Sequence, residues 1–273
     1  MPLLGTYVEI AVPARDEDEL RRWTEPAFAR VAEMHAAMSF HSPQSDLAAI
    51  ARAGAGEQLT VHRDTWSTLR SALEFEAASD GRFNAAVAPE LVRRGLLPMP
   101  ADARLPRAAS ARAALHLESA ERVRVIEPVW IDLGGIAKGA AVDAAIAALD
   151  QAGAPSALVN AGGDLRAAGP ETHTVWVRHS AHPGGLLAIA SLANGAFATS
   201  GSLGGNGWRH IVERAGATPW PGCCSVSVAA ESCLVADALT KVALLAGPAV
   251  AALLRRYDAH AVWIDADGRA HHA

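Results

Sequence analysis

The sequence predicts an α+β fold, on three observations. Strand-like runs and helical periodicities are interleaved irregularly, without the strict strand–helix alternation of a parallel α/β fold. Neither an internal repeat nor a low-complexity linker interrupts the 273 residues, so 1–273 reads as a single domain with room for two lobes. With 51% hydrophobic and 19% charged residues the chain can bury a sizeable core, which excludes a disordered protein. The balance of 24 Lys plus Arg against 29 Asp plus Glu gives a formal charge of -5. A general nucleic-acid binder needs a cationic field to displace phosphate counterions, so that class is excluded and no nucleic-acid partner is expected.

The elements follow in order. Thr6 to Val12 alternates as a strand, and Asp16 is placed to cap a helix with an apolar face of Leu20, Trp23, Ala27, Val31, Met34 and Met38. Pro26 either kinks that helix or marks its true start. Ser45-Asp46 opens a short helix through Ile50, and Thr65 to Ser79 reads as another with Trp66, Leu69 and Leu73 on one face. Pro98 to Ala113, rich in Ala, Arg and Pro, reads as a connecting excursion. Strand-like runs follow at Ala114 to Leu117, Val123 to Ile126 and Val129 to Leu133, before a helix from about Lys138 to Gln151.

A second strand set comprises Ala157 to Asn160, Thr174 to His179, Leu186 to Leu192, Ala196 to Thr199, Arg209 to Glu213 and Ser225 to Ala229. Helices at about Val235 to Leu245 and Ala249 to Arg256 precede a hairpin, Ala261 to Ala266 with an Asp267-Gly268 turn. The three cysteines, Cys223, Cys224 and Cys233, fit neither a closed disulfide framework nor a zinc spacing and read as buried or incidental thiols. The N-terminal residues lack the pattern of a signal peptide, and charge or glycine breaks the apolar stretches before the roughly 20 residues of a membrane span. The expectation is a cytoplasmic protein as written, periplasmic if a leader was removed, with no transmembrane segment.

Five segments carry chemistry. In Ile131-Asp132-Leu133-Gly134-Gly135-Ile136-Ala137-Lys138-Gly139 a strand ends in a glycine pair and a helix starts with a lysine. Glycines admit a ligand to the backbone, free amides at a helix start attract anions, and Lys138 adds a full charge, which suits a pyrophosphate. A structural strand-to-helix turn explains the same residues, and neither the GxxxxGK[ST] nor the GxGxxG pattern is present. Asn160-Ala161-Gly162-Gly163-Asp164 and Thr199-Ser200-Gly201-Ser202, the latter followed by His210, could cup an anion or form tight turns. Ala236-Asp237-Ala238-Leu239-Thr240-Lys241 places an acid and hydroxyl on one helix face, oxygens fit for Mg2+, although a helix N-cap is the simpler reading. Asp80-Gly81-Arg82-Phe83-Asn84 ends a helix and runs extended towards Pro89.

Together with Gly5-Thr6, Ser45-Asp46-Leu47, His210-Ile211 and Ser225-Val226-Ser227-Val228, these segments resemble in order and spacing the successive motifs of the ApbE family, the FAD:protein FMN transferases. About nine collinear short motifs are far more specific than any one of them. The resemblance implies an α+β, T-fold-like architecture, a mixed β-sheet with flanking helices, with FAD in a cleft between two lobes and Mg2+ beside its pyrophosphate. It implies an enzyme that cleaves FAD, transfers FMN to a Ser or Thr hydroxyl of an acceptor protein and releases AMP. Two alternatives keep the pocket: a Mg2+-dependent FAD pyrophosphatase giving FMN and AMP, and a non-catalytic FAD-binding protein.

By position, the resemblance makes Lys138 and Asp237 catalytic. It places Leu4, His41, Arg82, Phe83, Asn84, Asp132, Lys138 and His210 against FAD, and gives Mg2+ the Gly135 carbonyl, the Asp237 carboxylate and Thr240. Three departures stand out. The family's Thr four residues after the metal aspartate is Lys241, with Thr240 one position earlier. An ammonium cannot ligate Mg2+, so either Thr240 substitutes or Lys241 supplies charge by contacting phosphate directly. The His-x-x-Asp-Pro-x-Thr-Gly stretch is replaced after His210, and Asn84 stands where Asp is common.

Overall fold

The computed structural model describes residues 1–100, 105–119, 121–178, 185–201, 210–212 and 218–272. The chain divides into two compact units, the first Met1–Ala32, Lys138–Trp208 and Ala217–Ala273, the second Glu33–Ala137 and Arg209–Gly216. In chain order the elements are β1 (Pro2–Leu3), β2 (Thr6–Ala11), α1 (Glu17–Met38), α2 (Asp46–Arg52), β3 (Gln58–Thr60), α3 (Arg63–Ala78), α4 (Ala88–Arg93), α5 (Ala111–Ala114), β4 (Leu115–Leu117), β5 (Arg122–Val125) and α6 (Ala137–Gln151). There follow β6 (Ala157–Ala161), β7 (Asp164–Ala168), β8 (His173–Arg178), β9 (Leu186–Leu192), β10 (Gly195–Gly201), β11 (Cys223–Ala230), α7 (Cys233–Ala246), a 3-10 turn (Gly247–Val250), α8 (Ala251–Arg256), β12 (His260–Asp265) and β13 (Ala270–His272).

The first unit is built on an eight-stranded sheet in the order β1-β2-β6-β7-β10-β11-β12-β13, with every described ladder antiparallel. Tight turns make this possible: Leu4-Gly5 joins β1 to β2 and Gly162-Gly163 joins β6 to β7, all four with positive φ as two-residue hairpin loops require. Strand alternation puts Ser200, Val226 and Trp263 on one sheet face, where α7 packs and the Trp263 indole donates to the Ala243 carbonyl at 3.1 Å. On the opposite face Val175, Val177 and Leu192 of the β8–β9 ribbon pack with Ala167 and Phe197.

The run Cys233–Arg256 corrects one expectation. It is long and apolar enough to cross a membrane, because only a few charges interrupt it, yet 61% of its most apolar 18 residues are buried inside the protein and the 3-10 turn divides it. Its apolarity is that of a core helix.

The second unit carries a three-stranded antiparallel sheet, β3-β5-β4. On α3 the buried face is Thr65, Leu69, Ala72, Phe75 and Glu76, rotated from the expected Trp66, Leu69 and Leu73. Two polar groups cause the rotation: the Trp66 indole, half-buried, donates to the Glu118 carbonyl at 2.9 Å, and the buried Glu76 carboxylate accepts the Arg112 amide at 3.0 Å and the Ser110 hydroxyl. The expected strand Val129 to Leu133 forms no ladder. Its apolar side chains, Val129, Trp130, Ile131 and Leu133, are all buried, and the Asp132 amide finds the Ala85 carbonyl at 2.9 Å instead of a strand partner.

Helix α1 runs unbroken through Pro26, and the Asp16 carboxylate caps it by accepting the Glu19 amide at 2.8 Å. Trp23, Ala27, Val31, Met34 and Met38 are buried as expected, whereas Leu20 is 40% exposed and Glu19 is buried beside Arg15. The Arg209 to Glu213 strand has both ends outside the described residues, and 210–212 form none; position 179 of the Thr174 strand also lies outside them. Cys223 and Cys233 are buried free thiols, the former pushed up to about 12 by burial and by its neighbour Cys224, and Cys224 is half-buried.

Candidate functional site

The starts of α6 and α7 come together in the first unit. Gly139 makes this approach possible, since a Cβ there would overlap the Cys233 carbonyl. Asp143, one turn further along α6, accepts the Cys233 and Leu234 amides at 2.9 Å each, satisfying two donors that the first turn of α7 leaves unpaired. Arg166 on β7 holds the same carboxylate at 2.7 Å. Ser232 adds the N-cap, accepting the Val235 amide at 3.3 Å. Asp237 is therefore not the cap, and its carboxylate is free to project from the second turn into the space beside Lys138.

Around Asp237 the cluster is dense. The residue is fully buried, its Oδ2 accepts the Gly139 amide at 3.1 Å and lies 3.8 Å from Lys138 Nζ, and its Oδ1 is ion-paired to Lys241. Burial alone would push this carboxyl up, but Lys138 and Lys241 outweigh it and hold the carboxyl below its ordinary range. Lys138 is also paired to Asp164, buried at the start of β7 directly after the Gly162-Gly163 turn. Burial draws the Lys138 ammonium down, and the Asp237 carboxylate opposes that.

Thr240 Oγ1 completes the cluster. It donates to the Asp237 carbonyl at 2.7 Å, which leaves its two lone pairs to accept from Lys241 Nζ at 3.0 Å and from the Ser200 hydroxyl at 2.8 Å. Ser200 reaches it from the end of β10. Thus Lys138, Asp237 and Thr240 are brought together, and with them Lys241, which the sequence marked as a possible charge group for phosphate, and Asp164 and Ser200, whose segments it marked only as possible anion cups or turns. The signal for Asp164 was the Gly-Gly-Asp turn: two glycines close the hairpin so sharply that the next side chain points back over the α6 start.

Leu4 sits half-buried in the β1–β2 turn with φ 56, a left-handed conformation that a leucine adopts only at a cost. In the second unit, Asp132 accepts the Gly134 amide at 3.2 Å; burial pushes its carboxyl up, against the pull of that amide and of His41. Gly135 lies in the turn between Leu133 and α6. His41 and His210 are exposed, and Arg82 is exposed with its guanidinium on the Ser79 carbonyl at 3.2 Å. Phe83 is buried with its ring 5.9 Å from that of Phe75. The Asn84 amide ties its loop to the segment before α5, donating to the Ala109 carbonyl at 2.7 Å, and accepts the Ala86 amide at 2.9 Å.

The chain is similar in sequence to an FAD:protein FMN transferase of Rhodobacter capsulatus, 27% identical over 268 residues, covering 90% of this chain and 50% of that protein. It thus spans about half the length of that curated relative. Among solved structures, the ApbE protein of Thermotoga maritima superposes with a TM-score of 0.78 at 26% identity, covering 99% of this chain and 94% of the other. The flavin transferase ApbE of Vibrio cholerae gives a TM-score of 0.80 at 20% identity over 100% and 94%, a likeness of fold. The motifs that carry the site, from Leu4 through the glycine-rich start of α6 to the α7 aspartate, all fall within residues 4–263, the stretch that matches the ApbE family, and the chain belongs to that family.

Proposed function

We propose that the chain is an FAD:protein FMN transferase whose α6–α7 cluster binds the FAD pyrophosphate. The observation that carries this reading is the pair of ammonium groups, Lys138 and Lys241, held by buried carboxylates at the starts of two helices. Each ammonium has three N–H donors. Among the described residues Lys241 spends two, on Asp237 and Thr240, and Lys138 spends one on Asp164. Three donors are left for phosphate oxygens, and the two side chains are 28% and 17% exposed, open enough to offer them.

In the proposed reaction an acceptor Ser or Thr hydroxyl attacks the FMN phosphorus. A new P–O ester bond forms, the bond to the bridging oxygen breaks, and AMP leaves with that oxygen while the hydroxyl proton passes to solvent or to AMP. Negative charge builds on the bridging and leaving-phosphate oxygens, so fixed cations stabilise the transition state more than the ground state. Asp164 and Asp237 orient those cations before substrate arrives, which removes reorganisation from the step itself.

The Mg2+ that family resemblance implies does not fit these residues. Mg2+ requires oxygen ligands in near-octahedral array. Both lone pairs of Thr240 Oγ1 are engaged, Asp237 Oδ1 is engaged by an ammonium, and Asp237 Oδ2 by a backbone amide. No group of three or more His, Cys, Asp or Glu among the described residues could hold a metal ion.

The test is incubation of the purified chain with FAD and a Ser/Thr-bearing acceptor protein, following AMP, free FMN and protein-bound flavin by chromatography. AMP matched by protein-bound flavin is the expected result. AMP matched by free FMN makes it a pyrophosphatase, and FAD held unchanged makes it a binder; either overturns the transferase reading.

A further inference from the structure

We infer that the Lys241 ammonium stands in for a divalent cation at the Asp237–Thr240 site, so that this chain binds a diphosphate without metal. Residues three and four after Asp237 share its face of α7, and both fall on the same spot: Thr240 Oγ1 and Lys241 Nζ are 3.0 Å apart, and the ammonium also pairs with Asp237 Oδ1. The nitrogen therefore occupies the point where an acid oxygen and a hydroxyl oxygen converge. Such a point is where a hard cation would sit if the side chain at position 241 were short and uncharged.

At that point Lys241 already engages Asp237 Oδ1 and Thr240 Oγ1, and keeps one N–H donor for a phosphate oxygen. Thr240 and Asp237 are fully buried, and the two partly exposed side chains against the Asp237 carboxylate are both ammonium groups, Lys241 and Lys138. Within the cluster two ammonium groups face two carboxylates, Lys138 and Lys241 against Asp164 and Asp237. The array is neutral as it stands, and a dication placed against Asp237 would meet two ammonium charges before any substrate arrived. Position 241 thus decides the ion: a lysine there carries its cation covalently attached, already in place, and independent of the metal supply. The difference between an ammonium and Mg2+ also has a chemical consequence. The lysine offers N–H donors to phosphate oxygens and cannot lower the pKa of a bound water, so water gains no activation at this point and the acceptor hydroxyl keeps less competition.

The part of this inference that concerns Mg2+ is independent of the transferase proposal, and the part that concerns the diphosphate rests on it. The experiment separates them. Wild type, Lys241→Thr and Asp237→Asn are titrated with Mg2+ alone by calorimetry, and their melting temperatures are followed with Mg2+ and with chelator. FAD affinity is then measured by flavin fluorescence under the same two conditions. Wild type is expected to show no Mg2+ binding that depends on Asp237, and an FAD affinity that agrees within about twofold with and without chelator. Lys241→Thr, which uncovers the oxygens, is expected to gain a Mg2+ site, a melting temperature that rises with Mg2+, and FAD binding that now needs the metal. Mg2+ binding to wild type that Asp237→Asn abolishes overturns the inference, as does a loss of wild-type FAD affinity of about tenfold or more on chelation. Should Lys241→Thr fail to fold, Lys241→Met keeps the length without the charge, and the wild-type titration is decisive by itself. Failure to bind FAD under any condition rejects the flavin reading and leaves the Mg2+ titrations to decide the identity of the cation.

Discussion

At the scale of single residues, Asp237 keeps its charge in a fully buried position because an amide and two ammonium groups reach it. Removing either side of that arrangement strands the other. Asp237→Ala and Lys138→Ala should each lower FAD turnover by on the order of 100-fold or more, since the second removes a cation from the reacting phosphates and the first releases the ammonium groups that the carboxylate orients. Unchanged AMP release in both variants would sink the proposed site. Gly139→Ala tests the approach of the two helices: the added methyl overlaps the Cys233 carbonyl, and the expected cost is ~1–3 kcal/mol of stability in a denaturant titration. A variant as stable as wild type would show that the helix starts separate easily.

Among the elements, the start of α7 is the most heavily tied, with Asp143, Ser232 and Gly139 all engaged there. Asp143→Ala leaves two amides and the Arg166 guanidinium without their acceptor, and should cost about 1–3 kcal/mol, read as a fall in denaturation midpoint. The start of α1 gives a pH signature. Hydrogen bonds from Arg15 lower the Glu19 carboxyl from its ordinary 4.5 to about 2, so the pairing stabilises the fold fully above pH 4.5 and the stabilisation is lost as pH falls towards 2. The stability difference between wild type and Glu19→Gln should shrink across that window, and a constant difference would refute the assignment. Elements of this kind were only partly legible in the sequence. The caps at Asp16 and Ser45 and the strands of the main sheet other than β1 and β7 could be read, because a short polar residue before an apolar period and a two-residue alternation are local signals. The face of α3 could not, because Glu76 turns inward for Ser110 and Arg112, more than thirty residues away. The Val129 to Leu133 run misled for a similar reason: four buried apolar residues look like a strand whether or not a neighbour pairs with them. In the site, Lys138 was marked by the glycine and helix-start pattern, whereas Asp237 was marked only by the family resemblance, its own segment reading more simply as a helix cap. The partnership of Asp164 with Lys138 depends on a hairpin folding back over a helix, which no local window contains.

For the molecule as a whole, a ligand that binds only the folded chain must raise its melting temperature. At about 100 times its dissociation constant FAD should add ~2.7 kcal/mol, a shift of roughly 5–10 °C for a chain of this size. A melting curve indifferent to saturating FAD would remove flavin from the account. The sheet order bears on how the chain is made. Strands enter the eight-stranded sheet in the order in which they occur in the sequence, from β1 at one edge to β13 at the other, however long the excursions between them. During synthesis, then, each strand leaving the ribosome finds the edge it must join already laid down, and none has to be inserted between two earlier neighbours. The apolar α7 emerges just after β10 and β11, the two strands whose face it covers, so the surface that shields it from aggregation and from membrane-targeting factors exists before the helix does.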